Sequence, residues 1–103
     1  MGGPDQAQRA LRLVRATHPQ HDESTALVRQ YVRYGASPRG AQAIVLASKA
    51  LALLAGRYHV STADVRRAAV AALNHRIILN FQGEMDHVTT RTIVDDVIEK
   101  VDG

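Results

Sequence analysis

Ser37-Pro38-Arg39-Gly40-Ala41-Gln42-Ala43-Ile44-Val45-Leu46-Ala47-Ser48-Lys49-Ala50-Leu51-Ala52-Leu53-Leu54-Ala55-Gly56 is the stretch that decides the fold class. Ser37 is a good N-cap residue, and Pro38 follows at the first helical position, where its missing N–H costs nothing. Ala41 to Ala55 is strongly helix-forming, and Gly56 is a natural stop. Ile44, Ala47, Leu51 and Leu54 make one apolar stripe, which Val45, Leu46 and Leu53 widen until the helix is apolar nearly all round. Such a helix is usually the most buried one, so the expectation is an all-α bundle of about five helices built around it.

Towards the N-terminus, Ala7, Ala10, Leu11 and Val14 follow the i, i+3, i+4, i+7 template and predict a helix that ends before Pro19. His18 to Glu23 reads as a polar loop. A second helix is expected from near Ser24, with Leu27, Val28, Tyr31 and Val32 buried, Arg29 and Arg33 as an exposed pair, and Gly35 as its stop. Towards the C-terminus, Ser61 and Asp64 have capping-box spacing and open a helix from about Thr62 to about Asn80. Its buried face is Val65, Ala68, Ala69, Ala72, Leu73 and Ile77. Gln82 to Asp86 reads as a loop around Gly83, and Thr89 or Thr90 caps a last helix with Ile93, Val94, Val97 and Val101 inward and Asp95, Asp96 and Glu99 towards water. His59-Val60-Ser61-Thr62 is echoed by His87-Val88-Thr89-Thr90. The echo is either two independent N-cap signals or a minimal two-stranded β bridge near Val60 and Val88.

With 103 residues and 46% hydrophobic content, the chain fits one domain, residues 1–103, and is not wholly disordered. Residues 1–5 read as a scar of excision from a longer protein or as a disordered tail. No Cys is present, which excludes disulfide scaffolds, thiolate metal sites and Cys nucleophiles and is compatible with a reducing, cytoplasmic compartment. No window approaches the roughly 18 apolar residues of a membrane span. The net charge of +3 is modest, and the basic excess lies in the first half.

Catalytic templates fail in turn: there is no H-E-x-x-H, no G-x-S-x-G and no paired-Cys pattern. Gly35 to Gly40 has the G-x-x-x-x-G half of a phosphate loop, but Ala41-Gln42 stands where Lys and Ser or Thr are required. His18 and His21 have i, i+3 spacing on a loop with only Asp22 nearby, and read as loop histidines. His59, His75 and His87 read as capping or packing residues. Arg39 is the anomaly: it lies in the first turn of a helix, where a cation opposes the macrodipole at a cost of about 0.3–1 kcal/mol. Two readings of it stand: a solvated arginine, or one that shares an anion with the helix terminus.

Leu13-Val14-Arg15-Ala16-Thr17-His18-Pro19, Tyr34-Gly35-Ala36-Ser37-Pro38-Arg39-Gly40-Ala41, Ala50 to Val60, Asp64-Val65 and His75-Arg76-Ile77 together resemble the C-terminal lid of the MoxR family of AAA+ ATPases. The likeness covers nearly the whole chain, and Gly-Ala-Ser-Pro-Arg is its most specific element. The resemblance implies that Arg39 is the second sensor arginine, with Ser37 and Pro38 beside it at the nucleotide. It would reach the γ-phosphate of ATP held by a preceding α/β domain. It further implies ATP and Mg as cofactors of the full-length protein and none for the lid alone, ring neighbours in a hexamer, von Willebrand A domain partners, and a chaperone-like role. The residues of hydrolysis would lie in the preceding domain, so this chain alone is not expected to be an enzyme. Gly40 stands where many members have Ala, a change expected to be tolerated.

Two readings of other classes stand beside it. Arg9, Arg12, Arg15, Arg29 and Arg33 with a pI of about 9.8 would suit a nucleic-acid-binding helical domain, against which stand few aromatics and no polar recognition helix. A protein-interaction module would use Arg66, Arg67, Asp95, Asp96 and Glu99, and an exposed apolar patch would favour it.

Overall fold

The structure, a computed structural model, describes residues 4–102. Six α-helices lie in the order α1 (Pro4–Ala16), α2 (Ala26–Tyr31), α3 (Pro38–Leu54), α4 (Thr62–Leu73), α5 (Phe81–Met85) and α6 (Thr90–Val97), and a π-helical turn, Ile98–Asp102, extends the last. Two short strands, β1 (Val32–Tyr34) and β2 (Ile78–Leu79), pair antiparallel with Val32 opposite Leu79. The α3 helix packs against both α4 and α1. Leu13, Ile44, Val65, Leu73, Ile93, Val94 and Val97 are fully buried between these helices.

Local signals account for the helix starts. Pro38 opens α3 behind Ser37, Ser61 and Asp64 form a reciprocal capping box on α4, and the Thr89 hydroxyl accepts from the Thr92 amide on α6. The α3 helix closes through Gly56, whose φ of 76° lies in the left-handed region. All six residues expected to be buried on the fourth helix, Val65 through Ile77, are buried.

Several expectations are corrected. Pro4 and Asp5 already belong to α1, while Met1 to Gly3 lie outside the described residues. The buried stripe of α1 runs through Ala10, Leu13 and Val14 and continues to Thr17 just past its end, which leaves Ala7 and Leu11 exposed. The second helix starts behind Thr25, next to the expected Ser24, but ends at Tyr31 because β1 takes over; Arg33 therefore lies on a strand and makes no helical pair with Arg29. Gly35 is needed for another reason than stopping a helix: a Cβ there would sit 2.6 Å from the carbonyl oxygen of Thr17. The fourth helix ends at Leu73, not near Asn80, since Ile78–Leu79 pairs with β1. Residues 82–86 are mostly helical rather than a loop, because Asn80 caps α5 through its side chain on the Gly83 amide. The bridge near Val60 and Val88 does not form. Each of those residues is half-buried against the core ahead of its own N-cap, and the two-stranded pairing is made by Val32–Tyr34 and Ile78–Leu79 instead.

The largest departure concerns α3. Ile44, Ser48 and Ala52 are buried, but Leu46 is 68% exposed, Leu53 65% and Leu54 85%, and Tyr58 just beyond the helix is 93% exposed. The helix is long, and its neighbours cover only one side of it. Its apolar surplus is surface, not core.

Candidate functional site

The feature of α3 that departs from an ordinary helix is its start. Ser37 sits at the N-cap with φ −77° and ψ 170°, yet its hydroxyl makes no capping hydrogen bond. The Gly40 amide, which that hydroxyl would normally accept from, donates to the Ser37 carbonyl at 2.8 Å instead. Pro38 contributes no N–H. Arg39 follows in the first turn, exposed, and among the described residues its side chain has neither a hydrogen-bond nor an ion-pair partner. The Arg76 stem packs close to Gly40, its Cδ 3.5 Å from where a Gly40 Cβ would lie. A Cβ at Gly40 would also meet the Ala36 Cβ at 3.3 Å and a Leu73 methyl at 3.4 Å, so an alanine there fits only if its neighbours yield by a few tenths of an ångström.

The loop that leads into this start is held from α1. Thr17, fully buried, donates its hydroxyl proton to the Val14 carbonyl at 2.6 Å and accepts from the Ala36 amide at 2.9 Å. The adjacent His18 donates from Nε2 to the Ala36 carbonyl at 2.6 Å. Both backbone groups of Ala36 are therefore held by consecutive residues of α1's end. Sequence reasoning treated His18 as a loop histidine and gave Thr17 no role. The signal was present only as the company of Thr17-His18 with Gly35-Ala36 in the resemblance.

The remaining candidates fall away from this site. His21 accepts the Glu23 amide at Nδ1, while His59, His75 and His87 are exposed on separate segments, and among the described residues no group of three His, Asp or Glu is placed to hold a metal. The five arginines of the basic first-half set are engaged: Arg9 with the Thr62 hydroxyl, Arg12 and Arg15 with Glu23, Arg29 with Ser24 and the Asp22 carbonyl, and Arg33 over the Tyr34 ring, 5.1 Å from its centroid. They form no free basic stripe of the kind a nucleic-acid footprint needs. Arg66, Arg67, Asp95 and Glu99 do come together, along a shallow groove between α4 and α6.

Apolar surface does adjoin the start of α3. Leu11, Pro38, Ala41, Gln42, Val45 and Leu46 line an open groove of about 480 Å³ between α1 and α3. Leu53, Leu54 and Tyr58 continue the exposed apolar surface at the far end of α3. No described helix is long and apolar enough to cross a membrane.

Residues 24–97 match the profile of the family described as the AAA lid domain. The chain belongs to that family. Its likeness to the MoxR kind of lid is carried by the chaperone MoxR1 of Mycobacterium tuberculosis, 31% identical over 91 residues that make up 88% of this chain and 24% of that protein. An uncharacterised Bacillus subtilis protein, YeaC, is 33% identical over 68% of this chain and 22% of its own length. A solved structure from Cytophaga hutchinsonii, provisionally described as an ATPase, superposes with a TM-score of 0.85 at 34% identity, covering 92% of this chain and 29% of that one. The lid thus spans about a quarter of the length of the curated relatives it matches.

Proposed function

We propose that this lid closes over ATP held by an α/β ATPase domain of the same protein, and that Arg39 meets the terminal phosphate. The observation that carries the reading is the unpartnered, exposed Arg39 in the first turn of α3, where the helix dipole makes a cation unfavourable until an anion arrives. The uncommitted Ser37 hydroxyl and the N–H-free ring of Pro38 flank it. A polyphosphate fits this set: the guanidinium offers paired donors and the helix end adds positive potential. Mg would be held by the preceding domain, which would also carry the groups of hydrolysis. The lid's part is electrostatic: it stabilises charge on the terminal phosphate and ties nucleotide state to lid position. Ring neighbours in a hexamer, a chaperone-like role, von Willebrand A domain partners and a cytoplasmic location belong to the same reading.

The exposed Leu46, Leu53, Leu54 and Tyr58 favour a complementary role as a contact surface for the ATPase domain or a neighbouring subunit. The deciding experiment is Arg39→Ala in the full-length protein. Loss of one charge-assisted contact, roughly 1.5–3 kcal/mol, should weaken ATP binding or slow turnover by about ten- to a hundredfold, with the lid still folded. Wild-type ATPase activity in that variant would overturn the reading.

A further inference from the structure

We propose that Thr17 and His18 are positioning residues for Arg39, acting by clamping the backbone of Ala36. The inference rests on the reading of Arg39 as the phosphate-facing cation and says what aims it. Arg39 has no side-chain partner among the described residues, so no contact of its own holds the guanidinium, and the placement of its backbone sets the region the guanidinium can reach.

That placement is inherited from Ala36. Its amide is held by the Thr17 hydroxyl at 2.9 Å and its carbonyl by His18 Nε2 at 2.6 Å, while Thr17 is anchored in turn to the Val14 carbonyl within α1. Gly35 lets the two backbones come this close, since any Cβ would overlap Thr17. Little slack separates Ala36 from Arg39. Proline fixes its own φ near −65° and restricts the residue before it, so Ser37 and Pro38 form a stiff link. A shift at Ala36 is passed into the first turn of α3 instead of being absorbed. In a site of this kind a misplacement of roughly 1 Å can cost on the order of a hundredfold in rate, so a looser clamp is felt well before the fold is lost.

The hydrogen-bond chemistry also says which replacements should matter. Thr17→Val keeps the shape but strands the Ala36 amide, while the Val14 carbonyl still accepts from the Thr17 amide; Thr17→Ser keeps the hydroxyl. His18→Leu removes the donor to the Ala36 carbonyl, whereas His18→Gln can present an amide N–H at about the position of Nε2.

The test is steady-state ATP hydrolysis by the full-length protein carrying each of these four variants, with Arg39 intact and again with Arg39→Ala. With Arg39 intact, Thr17→Val and His18→Leu should each lower kcat/KM for ATP by about three- to tenfold, and Thr17→Ser and His18→Gln should stay within about twofold of wild type. On the Arg39→Ala background none of the four should lower it further, because the clamp acts through Arg39. Equal losses on both backgrounds would reduce the clamp to a plain structural contact and overturn the proposal, as would unchanged kinetics for His18→Leu with Arg39 intact. His18 is only half-buried, so its variants carry the test even if Thr17→Val does not fold. Wild-type kinetics for Arg39→Ala alone would instead sink the underlying reading of Arg39, which keeps the two failures apart.

Discussion

The starts of α3 and α4 are built from similar local sequence, a serine N-cap before a helix-forming run, and end in opposite states. At α4 the polar side chains are committed. The Ser61 hydroxyl accepts from the Asp64 amide, the Asp64 carboxylate accepts from the Ser61 amide, and Arg57 donates to both carboxylate oxygens at 2.6 and 2.8 Å. An anion sits where the dipole wants one, and the Arg57 guanidinium, with the Ser61 amide, holds the Asp64 carboxyl well below the usual carboxylate range. At α3 the serine hydroxyl is idle, no acidic residue occupies the first turn, and a lone arginine opposes the dipole. The contrast separates a helix start whose polar side chains serve the fold from one whose polar side chains the fold leaves uncommitted.

The contrast can be attacked first at Arg39. Beyond its tenfold or larger effect on ATP use, Arg39→Ala should leave thermal unfolding of the lid unchanged or shift it slightly upward, because the opposed dipole is relieved by about 0.3–1 kcal/mol. A clear fall in Tm would mean that Arg39 serves the fold. Next in size is Gly35→Ala, which forces a Cβ onto the Thr17 carbonyl and should destabilise the lid by about 1–3 kcal/mol in urea denaturation. Ser61→Ala should cost about 1 kcal/mol by the same measurement while ATP kinetics of the full-length protein stay at wild type.

The committed start also has a pH signature. The carboxyl of Asp64 titrates lower in the folded lid than in the unfolded chain, so its stabilisation is full above the unfolded value, about pH 4, and is lost as pH falls towards the folded one. The stability gap between wild type and Asp64→Asn should therefore be widest at neutral pH and narrow below about pH 4; a gap that does not depend on pH would remove the charge from the account. The smallest effect is expected at Ser37→Ala, within about 0.5 kcal/mol of wild type, because the hydroxyl removed makes no cap. A loss as large as that of Ser61→Ala would erase the distinction between the two helix starts.

These same segments show where sequence reading reached and where it stopped. Ser37 and Ser61 are placed at their helix starts, and Thr89 is one of the two threonines offered for the last helix, from a few neighbouring residues, since the signals of a helix start lie within one turn. Arg39 stands out for the same reason: its conflict with the dipole is local. The β1–β2 pairing was out of reach, because Val32 and Leu79 are brought together by the packing of helices between them, and the likelier-looking pair of β-branched segments, at Val60 and Val88, is spent on two separate helix starts.

The exposed leucines of α3 mark the other limit. Periodicity reports that a face is apolar, and an apolar face meant for another domain has the same pattern as one meant for the core. Alone, then, the sequence determined the all-helical class, the main caps and the one arginine whose charge contradicts its position, all of them matters of neighbours within a turn or two. Only the tertiary structure decided which side of α3 is buried and that Thr17 and His18 hold Ala36. Those contacts join residues about 18 positions apart, and their geometry exists only once α1 has packed against α3.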